Sequence, residues 1–60
     1  MKSCAECGGA GKVASKMDES CALSYVQCTN CGKRTKAKEA DTVEKAEELA
    51  IADWDTGKIY

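Results

Sequence analysis

Five cysteines carry the chemistry open to this sequence, and four of them are paired, as Cys4-Ala5-Glu6-Cys7 and Cys28-Thr29-Asn30-Cys31. A C-x-x-C turn aims two sulfurs at one point. Two such turns brought together supply four thiolates, the donor set of a closed tetrahedral metal site. Each pair runs directly into a glycine, Gly8 and Gly32. Backbone N–H groups just past the turn donate to the thiolates and offset their charge, and glycine supplies the positive φ this geometry needs. A disulfide framework is the rival reading. The odd cysteine count and a first segment, Met1-Lys2-Ser3-Cys4, that enters the knuckle without a secretory leader both argue for a reducing cytoplasm instead. Four sulfur donors point to one Zn²⁺, with iron second. With all four positions filled by protein there is no place for a catalytic water, so the metal is expected to be structural.

Cys21, in Asp18-Glu19-Ser20-Cys21-Ala22, is left over. Its acidic neighbours raise a thiol pKa, so it reads as a small, unreactive side chain and not as a nucleophile.

The elements that must position the cysteines are few. Among sixty residues, nine of the hydrophobic ones are Ala and five are Cys, leaving twelve larger apolar side chains. That core is too small to hold a fold unaided, and a bound metal is the natural supplement. Neither a large catalytic cleft, nor a second domain, nor a membrane-spanning helix is expected from this size and pattern. Residues 1–60 therefore read as a single small α+β metal-stabilised domain: a zinc ribbon over 1–38 and a C-terminal amphipathic α-helix over 41–56, packed on the ribbon.

Within the ribbon, Lys12–Lys16 and Leu23–Cys28 flank the polar Met17-Asp18-Glu19-Ser20 and are expected to pair as an antiparallel hairpin. Neither flank alternates cleanly enough to say which face is buried. Lys33–Lys38 is expected to add a third strand. From position 42 the period becomes helical. Val43, Ala46, Ala50 and Trp54 fall on one stripe, flanked by Leu49 and Ile51 and interrupted by Glu47. Asp41, with Glu44 three residues on, or Thr42 serves as N-cap, and Gly57 is the stop. Trp54 is read as a packing anchor.

The net charge of −1 conceals a split. Residues 1–38 carry seven basic and three acidic side chains, and residues 39–60 two basic and seven acidic. Lys33, Arg34, Lys36 and Lys38 form a basic cluster suited to phosphates, or to blocking strand-edge aggregation. Glu44, Glu47, Glu48 and Asp55 give the helix an acidic surface suited to a basic protein partner.

Two Cys-Gly knuckles around a hairpin, followed by a helix closing on Ala50-Ile51-Ala52-Asp53-Trp54-Asp55, resemble the phage and prophage restriction-alleviation (Lar-type) family. Its members typically read C-P-x-C-G, then C-x-x-C-G, then a helix ending A-I-x-x-W-N. Here Ala5 stands for the proline, Asp55 for the asparagine, and Gly57 where a basic residue is common. The resemblance implies a small cytoplasmic accessory protein of a bacterial host that modulates restriction–modification. Its partners would be a host restriction–modification protein or DNA or RNA, with neither a membrane nor a small-molecule substrate expected. A non-catalytic binding module is thus the leading expectation. Two alternatives stand beside it. A small metal-dependent nuclease would use Glu44 and Glu48 for Mg²⁺, although the chain has no His to act as base. A rubredoxin-like iron electron-transfer protein would need a dry aromatic shell, and this chain has three aromatics and no Phe.

Overall fold

The computed structural model describes all residues from Met1 to Tyr60. Three strands and one helix follow in chain order: β1 (Gly11–Met17), β2 (Ala22–Cys28), β3 (Lys38–Ala40) and α1 (Val43–Asp55). The strands form one antiparallel sheet with β2 in the middle. The β1–β2 hairpin closes over Asp18–Cys21, where the Asp18 N–H donates to the Cys21 carbonyl at 2.8 Å. No helix is long and apolar enough to cross a membrane.

The third strand lies further along the chain than the Lys33–Lys38 expected from sequence. Arg34 pairs with Gln27 as a single bridge, but regular pairing resumes only at Lys38, opposite Ser24. Three residues lie between Arg34 and Lys38, against two between Ser24 and Gln27, so one extra residue is bulged out. Thr35 makes the bulge tolerable. Its N–H donates to the Val26 carbonyl at 2.9 Å, and its buried Oγ1 accepts from the Val26 N–H at 3.1 Å.

α1 packs on one face of the sheet, and β2 alternates strictly beneath it. Ala22, Ser24, Val26 and Cys28 are buried, while Leu23, Tyr25 and Gln27 are half-buried on the opposite face. The inner face holds the smaller residues because α1 approaches closely through Ala46 and Ala50, and Trp54 fills the space at the end. The indole is 1% exposed and its N–H donates to the Lys2 carbonyl at 2.7 Å. A Cβ on Gly11 would stand 2.7 Å from the Trp54 Cζ2, so β1 can pass under the indole only as glycine. Trp54 is thus a packing anchor, as its place on the stripe suggests. The core is Cys4, Val26, Cys28, Ala50, Trp54 and Ile59.

The helix begins at Thr42 and not at Asp41. Thr42 is extended, and its side chain accepts from the Lys45 N–H at 3.3 Å. Lys45, not Glu44, therefore occupies the third helical position, and the Asp41–Glu44 capping box does not form. At the other end Gly57 adopts φ +79. The Lys58 N–H bonds the Asp53 carbonyl at 2.9 Å and the Gly57 N–H bonds the Trp54 carbonyl at 3.1 Å, a Schellman stop. The chain then returns to the sheet. Ile59 is buried, and Tyr60 exchanges both backbone hydrogen bonds with Arg34, at 2.9 and 3.1 Å.

Candidate metal centre

The two knuckles are built alike. The Cys4 N–H donates to the Gly9 carbonyl and the Cys28 N–H to the Lys33 carbonyl, each five residues ahead and each at 2.8 Å. Gly8 and Gly32 take φ of +76 and +81, as the turn geometry demands. The Thr29 N–H and hydroxyl both donate to the Ala10 carbonyl, at 3.0 and 3.1 Å, and lock the knuckles face to face. Gly9 lies in the seam. A Cβ there would meet the Asn30 Cβ at 2.9 Å and the Cys28 Sγ at 3.1 Å.

These contacts bring the Sγ atoms of Cys4, Cys7, Cys28 and Cys31 within 4.8 Å of one another. Cys4 approaches Cys31 to 3.7 Å and Cys7 approaches Cys28 to 3.4 Å, each pair spanning the two knuckles. All five cysteines are free thiols. Tetrahedral metal–sulfur bonds of about 2.3 Å put neighbouring sulfurs about 3.8 Å apart. The donor set and its spacing therefore fit one metal ion, and the arrangement of hairpin, knuckles and third strand is that of a zinc ribbon. Cys4 and Cys28 are buried in the core, whereas Cys7 and Cys31 face solvent.

The electrostatics of the cluster favour a cation. The Asn30 side chain, the Gly9 N–H and the Cys28 side chain hydrogen-bond Cys7 and draw its pKa down to about 6. Cys28 is lowered chiefly by the Cys31 N–H, with a further donor at Asn30; the two N–H groups lie 3.4 and 3.3 Å from its sulfur. The Lys33 N–H favours the Cys31 thiolate too. Desolvation and the sulfurs of Cys7, Cys28 and Cys4 outweigh it and push Cys31 up to about 12. Negative charge is thus welcomed on some sulfurs and resisted on the last, and a divalent ion among them removes that conflict.

The remaining residues nominated from sequence are scattered. Lys38 faces α1 and pairs with Asp53 at 2.9 Å. Arg34 and Lys36 lie on the opposite side of the sheet, 5.7 Å from the Tyr25 ring centre and 5.4 Å from that of Tyr60. Lys33 is exposed beside the second knuckle. On α1, Glu47 accepts from the Ser15 hydroxyl at 3.1 Å, and Ser15 accepts from the buried Ser24 hydroxyl at 2.9 Å. Asp55 accepts from the Lys2 N–H at 2.8 Å. Glu44 and Glu48 stand in solvent. Sequence reasoning missed Lys12, Lys16 and Tyr25, which share the face of Arg34 and Lys36; the period-2 spacing of Lys12, Ala14 and Lys16 was the available signal.

Comparisons of the chain with models of known protein families, with curated proteins and with solved structures find no match.

Proposed function

We propose that this chain is a one-zinc structural ribbon that works as a non-catalytic binding module in a nucleic-acid-directed process of a bacterial host. The observation that carries the reading is the convergence of Cys4, Cys7, Cys28 and Cys31, which fills a tetrahedral shell with protein sulfur and leaves no position for substrate or water. Zinc is preferred to iron because an iron–thiolate redox site is best served by a dry aromatic shell, and this chain has three aromatics and no Phe. The likeness of the knuckles and of Ala50–Asp55 to restriction-alleviation proteins makes restriction–modification the first process to examine. A cytoplasmic setting, which keeps thiols reduced, suits the site. The nuclease alternative draws no support from geometry, since Glu44 and Glu48 stand on the solvent side of α1, away from any cluster of metal donors.

The test is elemental analysis of the purified protein, followed by capture of partners from host extract with and without nuclease treatment. One zinc per chain, a colourless solution and retained partners support the reading. A red, iron-loaded protein would replace it with electron transfer.

A further inference from the structure

The three surface grooves of the molecule meet at one residue, Tyr25. It sits at the middle of β2, on the face of the sheet that α1 leaves open. Around it the structure gathers Lys12 and Lys16 from β1, and Arg34 and Lys36 from the segment beyond the second knuckle. None of these four cations has a carboxylate within ion-pair distance, whereas Lys38, on the other face, is paired. Glu39, opposite Leu23, is the acid that β3 adds to this face. The charge split seen along the sequence is therefore a split between faces: the acids of α1 lie on one side of the sheet and unpaired cations on the other. The residue sizes point the same way. β2 turns Ala22 and Ser24 inward and the larger Leu23 and Tyr25 outward, the reverse of what burial alone would select.

We infer that this open sheet face binds single-stranded nucleic acid, with the Tyr25 ring stacking an unpaired base and Lys12, Lys16, Arg34 and Lys36 holding the flanking phosphates. The inference rests on the binding-module reading above and names its partner. An aromatic ring amid cations is the platform that sequence-tolerant single-strand binders use, because every base offers a π-face and every linkage a charge. Arg34 lies over the Tyr25 ring and Lys36 over the Tyr60 ring. A base that stacks on Tyr25 takes the place of the exposed Arg34 guanidinium, whose charge stays within reach of the flanking phosphate. A duplex keeps its bases paired and stacked, and so cannot use Tyr25. β1 and β2, at seven residues each, run about 23 Å. That length suits a short stretch of backbone, of about four nucleotides.

The experiment titrates the zinc-loaded protein into a labelled oligothymidylate of about twelve nucleotides, long enough to span such a site. Fluorescence anisotropy reads binding, and the metal content of every sample is measured in parallel. Four phosphate contacts predict a slope of log affinity against log salt of about −3 for a single strand. The double variant Arg34→Glu/Lys36→Glu is expected to bind at least about tenfold more weakly with a shallower slope. Tyr25→Ser, judged only while it retains its metal, should lose about tenfold. Lys45→Glu, on the solvent side of α1, should leave affinity within about twofold, and a duplex of the same length should bind about tenfold more weakly than the single strand. Equal losses in Lys45→Glu and in Arg34→Glu/Lys36→Glu, each taken per unit of charge, would show a response to net charge and overturn the site. Equal binding of duplex, or a zinc-loaded protein that ignores the oligonucleotide, would overturn it as well. Those outcomes leave the zinc ribbon standing, while absence of zinc from the wild-type protein is the failure of the underlying reading.

Discussion

At Gly11 a single methyl group would stand where the indole must lie. A Cβ there falls 2.7 and 2.8 Å from the Trp54 Cζ2 and Cε2, and 2.9 Å from the Val26 Cγ1. Neither neighbour has room to yield, since Trp54 is 1% exposed and Val26 is fully buried. Gly11→Ala is therefore expected to destabilise the metal-loaded protein by about 1–3 kcal/mol through overpacking. Denaturant titration followed by the fluorescence of Trp54 measures it. Gly32 presents the opposite case. Nothing lies within 4 Å of its would-be Cβ, but its φ is +81. Gly32→Ala should cost about 1–2 kcal/mol from backbone strain alone, and Gly32→Asn should recover part of that loss because Asn tolerates the left-handed region. No recovery with Asn would show that the strain account is wrong. Cys21 carries a prediction of its own. Desolvation, then the charges of Glu39 and Asp18, raise its pKa, so less thiolate is present at pH 8 than on an ordinary cysteine. Iodoacetamide should modify it slowly, and the rise of rate with pH should shift upward. The metal-loaded chain should take one adduct and the chelated chain five. Labelling of Cys21 at the rate of an unperturbed thiol would contradict this account.

The start of α1 offers a direct comparison between two readings of the same letters. Asp41 followed by Glu44 has the spacing of a capping box, but Thr42 is the residue whose Oγ1 accepts the Lys45 N–H. Thr42→Ala is expected to lower stability by about 1 kcal/mol, and Asp41→Ala by less than half of that. Paired thermal unfolding curves decide it, and a larger loss at Asp41 would reverse the assignment. The helix itself was legible because the 3.6-residue period of Val43, Ala46, Ala50 and Trp54 survives in sequence, and the hairpin was legible from its polar turn. The buried face of β2 was not. A close-packed helix selects Ala22 and Ser24 for that face, so hydropathy points the wrong way there. The place of the third strand was hidden for a different reason. One bulged residue and a side-chain hydroxyl standing in for a ladder acceptor, at Thr35, leave no periodic trace. The backbone pairing of Tyr60 with Arg34 is equally invisible, since three residues past a helix stop show no pattern.

For the molecule as a whole, the metal site and the core are one structure. Cys4 and Cys28 are members of the buried cluster that also holds Val26, Ala50, Trp54 and Ile59. The four cysteines that converge could be read from spacing, because C-x-x-C-Gly is local chemistry. What spacing does not reveal is that two of the four sulfurs pack against the sheet and helix while the other two face water. The consequence is that the ion cannot act as a detachable staple. Without it, four sulfurs within 4.8 Å resist shared negative charge. Apart from contacts to its sulfurs, the N-terminal knuckle is then tied to the rest of the fold by a few hydrogen bonds: Thr29 donates to the Ala10 carbonyl, the Trp54 indole N–H donates to the Lys2 carbonyl, and the Lys2 N–H donates to the Asp55 carboxylate. Metal binding of this kind contributes about 10–16 kcal/mol to folding, more than a core of this size supplies unaided. A strong chelator should therefore collapse the amide dispersion of the NMR spectrum and move Trp54 fluorescence toward that of exposed indole, and added zinc should reverse both. Cys28→Ser should behave as the chelated protein does. Cys21→Ser should keep its metal and its spectrum, which separates loss of a ligand from loss of any thiol. Dispersed amide signals surviving with the metal verifiably gone would mean that Val26, Ala50, Trp54 and Ile59 hold the sheet and helix together without it.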